Sequence, residues 1–173
     1  MRKVFFILGL FIAFALPSTV RAQSSDDSDL GGSFNPAHAG HVHVAAEALK
    51  RLKLDEIWFL VSPGNPLKPT EGMAPFEARK KSLEALIQNH PKMIVSDLEN
   101  ILGTRYTVDS VRALKYELPG TNFVWLMGAD NFGSFDHWHQ WEKIAESLPI
   151  AVFDRPTYAR KALLSQAGRV FAR

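Results

Sequence analysis

Short apolar runs alternate with amphipathic helical patterns through most of the chain, and this alternation constrains the fold more than any other feature. Each apolar run has the length and uniform hydrophobicity of a strand that is buried on both faces. The predicted strands span residues 57–61, 93–95, 123–127 and 150–153. The predicted helices span residues 41–52, 75–89, 107–116, 131–147 and 158–171. Strands that alternate with helices of this length predict an α/β fold with a doubly wound parallel sheet and helices on both faces.

Composition narrows the classes of function. A chain of 173 residues, of which 46% are hydrophobic, is long enough for one domain with a sizeable core. The formal net charge of +2 is too small to indicate a nucleic-acid partner. The absence of cysteine excludes disulfides, thiolate metal ligands and a thiol nucleophile. Any chemistry must therefore use oxygen or nitrogen groups, or a bound ligand.

The beginning of the chain differs from the rest. Arg2 and Lys3 precede an apolar run at 4–16, and small residues follow near 20–22, which is typical of a secretory signal peptide. The run is too short for a stable membrane span. The alternative is that part of 4–10 forms a central strand of the sheet. We therefore divide the chain into a signal-like or atypical apolar N-terminus at 1–22, a polar linker at 23–30 and one folded domain at 31–173.

The segment 31–41, with the sequence GGSFNPAHAGH, carries the strongest functional signal. Its glycines permit close approach of a ligand, and the helix that follows offers unpaired N–H groups to a phosphate. His38 and His41 are three residues apart, so on the first turn of a helix they face the same way. His43 is a candidate third metal ligand, but it lies about 200° around the helix from His41. We therefore expect phosphate contacts from His38 and His41, and no metal site formed by side chains.

This segment resembles the His-x-Gly-His signature of the nucleotidyltransferase superfamily. From residue 31 to residue 173, the order and spacing of further segments resemble bacterial nicotinate-nucleotide adenylyltransferases. The matching segments are VSPGNPLK at 61–68, RYTVDS at 105–110, GADNF at 128–132, WHQW at 138–141 and FDRP at 153–156. The resemblance implies a Rossmann-like sheet and a reaction in which ATP adenylylates nicotinate mononucleotide. The products would be nicotinate adenine dinucleotide, a precursor of NAD, and pyrophosphate.

The resemblance also implies roles for individual residues. The residues implied to contact ATP are Gly32, Ser33, Phe34, His38, His41 and Asp130. Those implied to contact the mononucleotide are Thr107, Trp138, His139, Lys68 and Arg155. In this interpretation His38 and His41 are catalytic and stabilise charge at the α-phosphorus, while Trp138 stacks on the nicotinate ring. Mg²⁺ would arrive with ATP and be held mainly by phosphates and water.

Several of these residues also have structural alternatives. Trp138 and Trp141 could be core positions of one helix at 131–147, and Asp130 could cap that helix. Thr107 is expected to be the N-cap of its helix. Lys68 could instead be solvated, and Arg155 could instead form an ion pair. Solvated helix positions are predicted for Glu77, Arg79 and Glu84.

Two features depart from the family pattern. The chain ends at Arg173, before the Ser-Ser-Thr-x-x-Arg helix that the family uses to hold ATP, so we expect weaker ATP binding. The polar residues 24–30 stand where the family has a strand before the glycines, so either part of 4–10 fills that place in the sheet or the place is empty. The signal-like N-terminus also conflicts with the cytoplasmic location that ATP chemistry implies. The alternatives are a mononucleotide-binding remnant without turnover, another His-x-Gly-His nucleotidyltransferase such as a pantetheine-phosphate adenylyltransferase, and an exported protein without a nucleotide role. The expected partners are ATP and nicotinate mononucleotide, without nucleic acid or a stable membrane span.

Overall fold

A computed structural model of the chain describes residues 2–7, 34–64, 71–153, 165 and 167. The strands are β1 (Arg2–Ile7), β2 (Glu56–Leu60), β3 (Met93–Ser96), β4 (Thr121–Asn122), β5 (Trp125–Gly128) and β6 (Ile150–Phe153). The helices are α1 (Ala39–Arg51), α2 (Phe76–Ile87), α3 (Leu98–Leu102), α4 (Thr107–Glu117), α5 (Ala129–Phe132) and α6 (Trp141–Ser147), with a 3-10 turn at Phe135–His137. The helix predicted at 158–171 lies outside the described residues, apart from positions 165 and 167.

The strands form one parallel sheet in the order β3-β2-β1-β5-β6, and the short β4 pairs with β1. The chain builds outward from β1 to β3 and then returns to the other side of β1 to form β5 and β6. This reversal of strand order confirms the doubly wound, Rossmann-like α/β fold, and it creates a switch point between β1 and β5. Ligands of such sheets bind beyond the carboxyl ends of the strands at that point.

The first strand occupies the centre of the sheet. Phe6 of β1 is in register with Trp58 of β2 on one side and with Trp125 of β5 on the other. A central strand is the alternative that the sequence left open for this segment, and it covers Arg2–Ile7. The sheet of the domain predicted at 31–173 therefore includes residues 2–7, whereas most of the N-terminus and the whole linker at 23–30 lie outside the described residues.

Two apolar cores lie on opposite faces of the sheet, because side chains alternate between the faces of a strand. Ile57, Phe59 and Leu126 pack with residues of α1 and α2. Leu60 and Trp125 pack with residues of α4, α5 and α6. The predicted helices on both faces are therefore present. No helix within the described ranges is long and apolar enough to cross a membrane.

The single helix predicted at 131–147 is wrong, because the segment is divided into α5, the 3-10 turn and α6. Trp138 has an extended backbone, and Gln140 has a φ of 52°, in the left-handed region, so the helix cannot continue through them. The breaks allow Phe135 and Trp141 to bury their rings against each other, with centroids 5.7 Å apart. Aromatic packing therefore outweighs helix propensity in this segment.

Candidate active site

The carboxyl edge of the sheet at the switch point brings the predicted functional segments together. Phe34 to His38 lead into the N-terminus of α1, and Asp130 lies in the first turn of α5, directly after β5. Four of the predicted site residues, Gly32, Ser33, Lys68 and Arg155, lie outside the described residues. The first turn of α1 has no acidic residue, so the positive end of its helix dipole favours an anion there.

His38 and His41 lie against each other at this helix terminus. His38 is the N-cap of α1, and its backbone N–H donates to Nδ1 of His41 over 3.0 Å. The two ring centroids are 4.0 Å apart, so the prediction that the imidazoles share one side of the helix is confirmed. Because Nδ1 of His41 accepts a hydrogen bond, the proton of its neutral imidazole is on Nε2. The local geometry therefore makes Nε2 the donor atom of His41.

The packing of Phe34 determines how deeply the two imidazoles are buried. His41 is only 2% exposed, whereas His38 is exposed. The ring of Phe34 contacts His41 edge-on at 5.0 Å between centroids and also packs against Phe59 at 6.0 Å. Phe34 has a φ of 48°, an unfavourable conformation for a large side chain, and this packing holds it there. His38 thus faces solvent while His41 lies beneath it.

Asn35, which sequence analysis did not assign, ties this first loop to the segment before α2. Its side-chain Nδ2 donates to the carbonyl of Gly72 over 3.2 Å, and its Oδ1 accepts from the N–H of Ala74 over 3.1 Å. An exposed asparagine in a loop carries no sequence signal for such a long-range contact. The contact joins the segment that leads into α1 to the segment that leads into α2.

Arg79 was predicted to be a solvated helix position, and this prediction is wrong. The side chain is 2% exposed, and burial lowers the pKa of its guanidinium. Its Nε donates to the carbonyl of Ala74 and its NH1 to the carbonyl of Ser62, each over 2.9 Å. Because a guanidinium can donate hydrogen bonds to several carbonyls at once, Arg79 holds both ends of the loop between β2 and α2 in place. Glu77 and Glu84 are exposed, as predicted.

The residues predicted to bind the mononucleotide come from two neighbouring segments. Thr107 is the first residue of α4, and Tyr106, rather than Thr107 as predicted, is the N-cap. The Tyr106 ring lies 4.5 Å from the ring of His139, measured between centroids. This contact brings the start of α4 next to the segment that carries Trp138 and His139. Likewise, Gly128 rather than Asp130 is the N-cap of α5.

Trp138 and Trp141 differ in how far they are buried. Trp141 is buried in the core between the sheet and α4–α6, so its structural interpretation is confirmed. Trp138 is only half-buried, and Phe135 contacts it edge-on with ring centroids 5.4 Å apart. A ring that is fixed along one edge and partly open to solvent offers a flat surface to another ring.

A buried carboxyl group, Glu99, lies close to these segments and was missed. It is 5% exposed on α3 and accepts a hydrogen bond from the Ser110 hydroxyl over 3.0 Å. Burial raises its pKa from 4.5 to about 7, although hydrogen bonds from Ser110 and Ser62 favour the charged form and offset part of the shift. A lone glutamate in a helical pattern is usually solvated, so nothing in the sequence indicates its burial.

Glu99 is expected to make stability depend on pH. The folded chain binds a proton at Glu99 more tightly than the unfolded chain, so this contribution to the free energy of unfolding is largest below pH 4.5 and is lost as the pH rises through about 7. Glu99→Gln removes this titrating group. The free energy of unfolding of the variant, relative to that of the wild type, is therefore expected to rise by about 3 kcal/mol between pH 4.5 and pH 8.

Urea unfolding of both chains at several pH values measures this difference. Glu84→Gln is the matched control, since that side chain is exposed on α2 and water solvates it in both states. A constant difference between wild type and Glu99→Gln across the pH range would contradict the assignment.

Comparison with known proteins identifies the family. A family model described as cytidylyltransferase-like matches residues 30–170. A Cereibacter sphaeroides protein named as a nicotinate-nucleotide adenylyltransferase is 49% identical over 144 residues, which cover 83% of this chain and 77% of the relative. A Parvibaculum lavamentivorans protein of the same name is 53% identical over 138 residues, which cover 80% of this chain and 68% of the relative.

The fold is also that of a solved structure. The Plasmodium falciparum nicotinic acid mononucleotide adenylyltransferase complexed with NaAD aligns with a TM-score of 0.64 at 15% identity, over 95% of this chain and 80% of that one. At this identity the likeness concerns the fold alone. The family model spans residues 30–170, which include the histidine segment, β2–β6 and α1–α6. The chain belongs to the nicotinate-nucleotide adenylyltransferases, a family of nucleotidyltransferases with the cytidylyltransferase-like fold.

Proposed function

We propose that the chain transfers the adenylyl group of ATP to nicotinate mononucleotide, forming nicotinate adenine dinucleotide and releasing pyrophosphate. The observation that carries the proposal is the pair of imidazoles, His38 and His41, at a helix N-terminus beside the switch point of the sheet. This arrangement suits a polyphosphate, because N–H donors and a positive dipole end converge there. The names of the bacterial relatives support the choice of substrates.

The reaction requires positioning and charge stabilisation more than covalent help. The phosphate oxygen of the mononucleotide attacks the α-phosphorus of ATP in line, a new P–O bond forms, and the bond to the pyrophosphate oxygen breaks. Negative charge develops on the α-phosphate and on the leaving pyrophosphate. We propose that Nε2 of His41, the side chain of His38 and the first N–H groups of α1 donate hydrogen bonds to these oxygens, with Phe34, Gly32 and Ser33 lining the nucleotide.

The mononucleotide would lie across the start of α4 and the segment after the 3-10 turn. We propose that Trp138 stacks on the pyridine ring and that Thr107 and the backbone near His139 bind its carboxylate. The contact between Tyr106 and His139 supports this arrangement, because it keeps the two segments together. Lys68 and Arg155 remain predicted partners for the phosphates.

A divalent metal ion generally accompanies the nucleotide in nucleotidyltransferases of this kind. We propose Mg²⁺, which binds through substrate phosphates, water and one or two carboxylates and would neutralise phosphate charge. Asp130, half-buried in the first turn of α5, fits such an ion as a single carboxylate ligand. We also propose that the enzyme acts in the cytoplasm, where ATP is available.

The direct test is a pyrophosphate-release assay with ATP and Mg²⁺. We expect turnover with nicotinate mononucleotide, and nicotinamide mononucleotide in parallel reports the preference for the acid or the amide. Turnover with pantetheine phosphate instead would assign the other adenylyltransferase. Calorimetric binding of nicotinate mononucleotide without any turnover would identify a binding remnant.

Trp138→Ala is expected to raise KM for the mononucleotide by roughly five- to a hundredfold, since stacking of a base on an aromatic ring contributes about 1–3 kcal/mol. KM for ATP should change less than twofold. Trp138→Phe keeps an aromatic face and is expected to recover most of the affinity. Equal effects of the two substitutions on KM would exclude stacking as the role of Trp138.

A further inference from the structure

Glu99 is the acceptor of a chain of buried hydrogen bonds. Ser110 is fully buried on α4, and its hydroxyl lies 3.0 Å from Glu99 Oε1 and 2.9 Å from the hydroxyl of Thr104. Because Ser110 donates its only hydroxyl proton to the carboxyl group, Thr104 is the donor to Ser110. The N–H of Thr104 also donates to the carbonyl of Glu99 over 3.1 Å. Thr104 is thus held to Glu99 through both its backbone and its side chain.

The turn between α3 and α4 makes this double attachment. Gly103 ends α3 with a φ of 63°, a left-handed conformation that favours glycine, and its N–H donates to carbonyls of the last helical turn. Thr104 follows directly, and three residues later Thr107 begins α4. The position of Thr104 therefore sets where α4 begins, and with it the positions of Tyr106 and Thr107.

The carboxyl group of Glu99 also reaches the end of β2. The Ser62 hydroxyl, which donates to the carbonyl of Gly64 over 3.0 Å, lies beside it, and the carbonyl of Ser62 accepts from Arg79. Ser62 opens the loop between β2 and α2, the loop that Arg79 and Asn35 hold at its far end through Ala74. Glu99 therefore joins the beginning of this loop to the beginning of α4.

Within the part of the chain that the structure describes, hydroxyl groups contact this carboxyl group and no opposite charge compensates for the lost water, so its burial costs free energy. An apolar side chain of similar size would fill the space, but it would leave the buried hydroxyl of Ser110 without this acceptor. What Glu99 supplies is a connection between two segments that lie on the mononucleotide side of the site. The connection is made without contact to the substrate.

We propose that Glu99 is a positioning residue for the mononucleotide site, acting by fixing the start of α4 against the loop that follows β2. The inference rests on the proposed adenylyl transfer to a mononucleotide. Glu99→Ala removes the acceptor of Ser110 and the polar contact with Ser62, so the start of α4 loses its anchor and Thr107 its position. Glu99→Gln keeps an oxygen acceptor for Ser110 and retains the connection.

Steady-state kinetics in both substrates tests the proposal. Glu99→Ala is expected to raise KM for nicotinate mononucleotide about tenfold or more, while KM for ATP changes less than twofold. Ser110→Ala, a smaller change that keeps the chain folded, should move the same KM in the same direction, and Glu99→Gln should restore it to within about threefold. Leu148→Ala is the control, since it truncates a residue of the same core that lies near the last turn of α4, where Lys115 donates to the carbonyl of Ser147, and not near its first turn.

A purely structural role would make Glu99→Ala behave like Leu148→Ala, with a lower folded fraction and two unchanged KM values. That result, or an equal rise in both KM values, would overturn the proposal. Hydrogen exchange provides a measurement that does not need activity: amides at 104–108 should exchange faster in Glu99→Ala than in Leu148→Ala, and equal rates would also overturn it. If the wild type fails to turn over any mononucleotide, the proposed function fails, and the exchange rates still decide whether Glu99 positions α4.

Discussion

Replacing His41 with alanine is expected to lower kcat by about a hundred- to a thousandfold, the effect of removing one preorganised donor to a developing oxyanion. The backbone N–H of His38 donates to Nδ1 of His41. The imidazole is therefore already oriented with Nε2 as its donor atom, and the ring need not reorganise during the reaction. A donor of this kind acts mainly on the transition state, so KM for either substrate should change little. The measurement is steady-state pyrophosphate release.

Two further variants make this result interpretable. His43→Ala removes an imidazole from the exposed side of the same helix and should leave kcat unchanged. His41→Asn keeps a short polar side chain that can accept from the N–H of His38 while removing the imidazole, so it should lose activity with less loss of stability. Wild-type kcat in a folded His41→Ala variant would remove His41 from the mechanism.

The substitution Phe6→Pro is expected to abolish the folded state or to lower the free energy of unfolding by at least about 3 kcal/mol. β1 is paired with β2 on one side and with β4 and β5 on the other, so its backbone N–H groups all face neighbouring strands. Proline removes one of these donors and places a ring in the hydrogen-bonding plane. Urea unfolding followed by circular dichroism measures the loss.

Phe6→Val is the matched variant, because it also replaces the side chain but keeps the N–H and suits a strand. Its unfolding midpoint should lie well above that of Phe6→Pro. Equal midpoints for the two variants would show that pairing at β1 contributes little, which would contradict a central position for this strand.

The parallel sheet could be predicted from the sequence because its strands are buried on both faces and carry uninterrupted apolar runs. β6 was predicted with its observed bounds at 150–153, and β2 and β3 within one residue. β1 was left with two interpretations, since an apolar run after basic residues is typical of a signal sequence, the interpretation that the pattern favoured, and also suits a central strand. Only the pairing with Trp58 and Trp125 separates the two interpretations for residues 2–7.

The site was partly predictable for a similar reason. His38 and His41 are close in sequence, so helical spacing alone predicts that their rings meet. Asn35, Arg79 and Glu99 act on groups that are distant in sequence, and their residue types are ordinary at surface positions. The long-range contacts that bury or engage them cannot be predicted from local patterns, which is why the supporting hydrogen bonds around the site were missed.

The position of β1 also has a consequence for folding during synthesis. The ribosome makes β1 before the strands that pair with it, because its neighbours β2 and β5 lie further along the chain and β5 ends at Gly128. At about 5–20 residues per second, the apolar segment emerges several seconds before both of its partners exist. During that interval it is open to chaperones and to targeting factors that bind nascent hydrophobic segments, so the speed of translation from β1 to the end of β5 competes directly with capture of this segment.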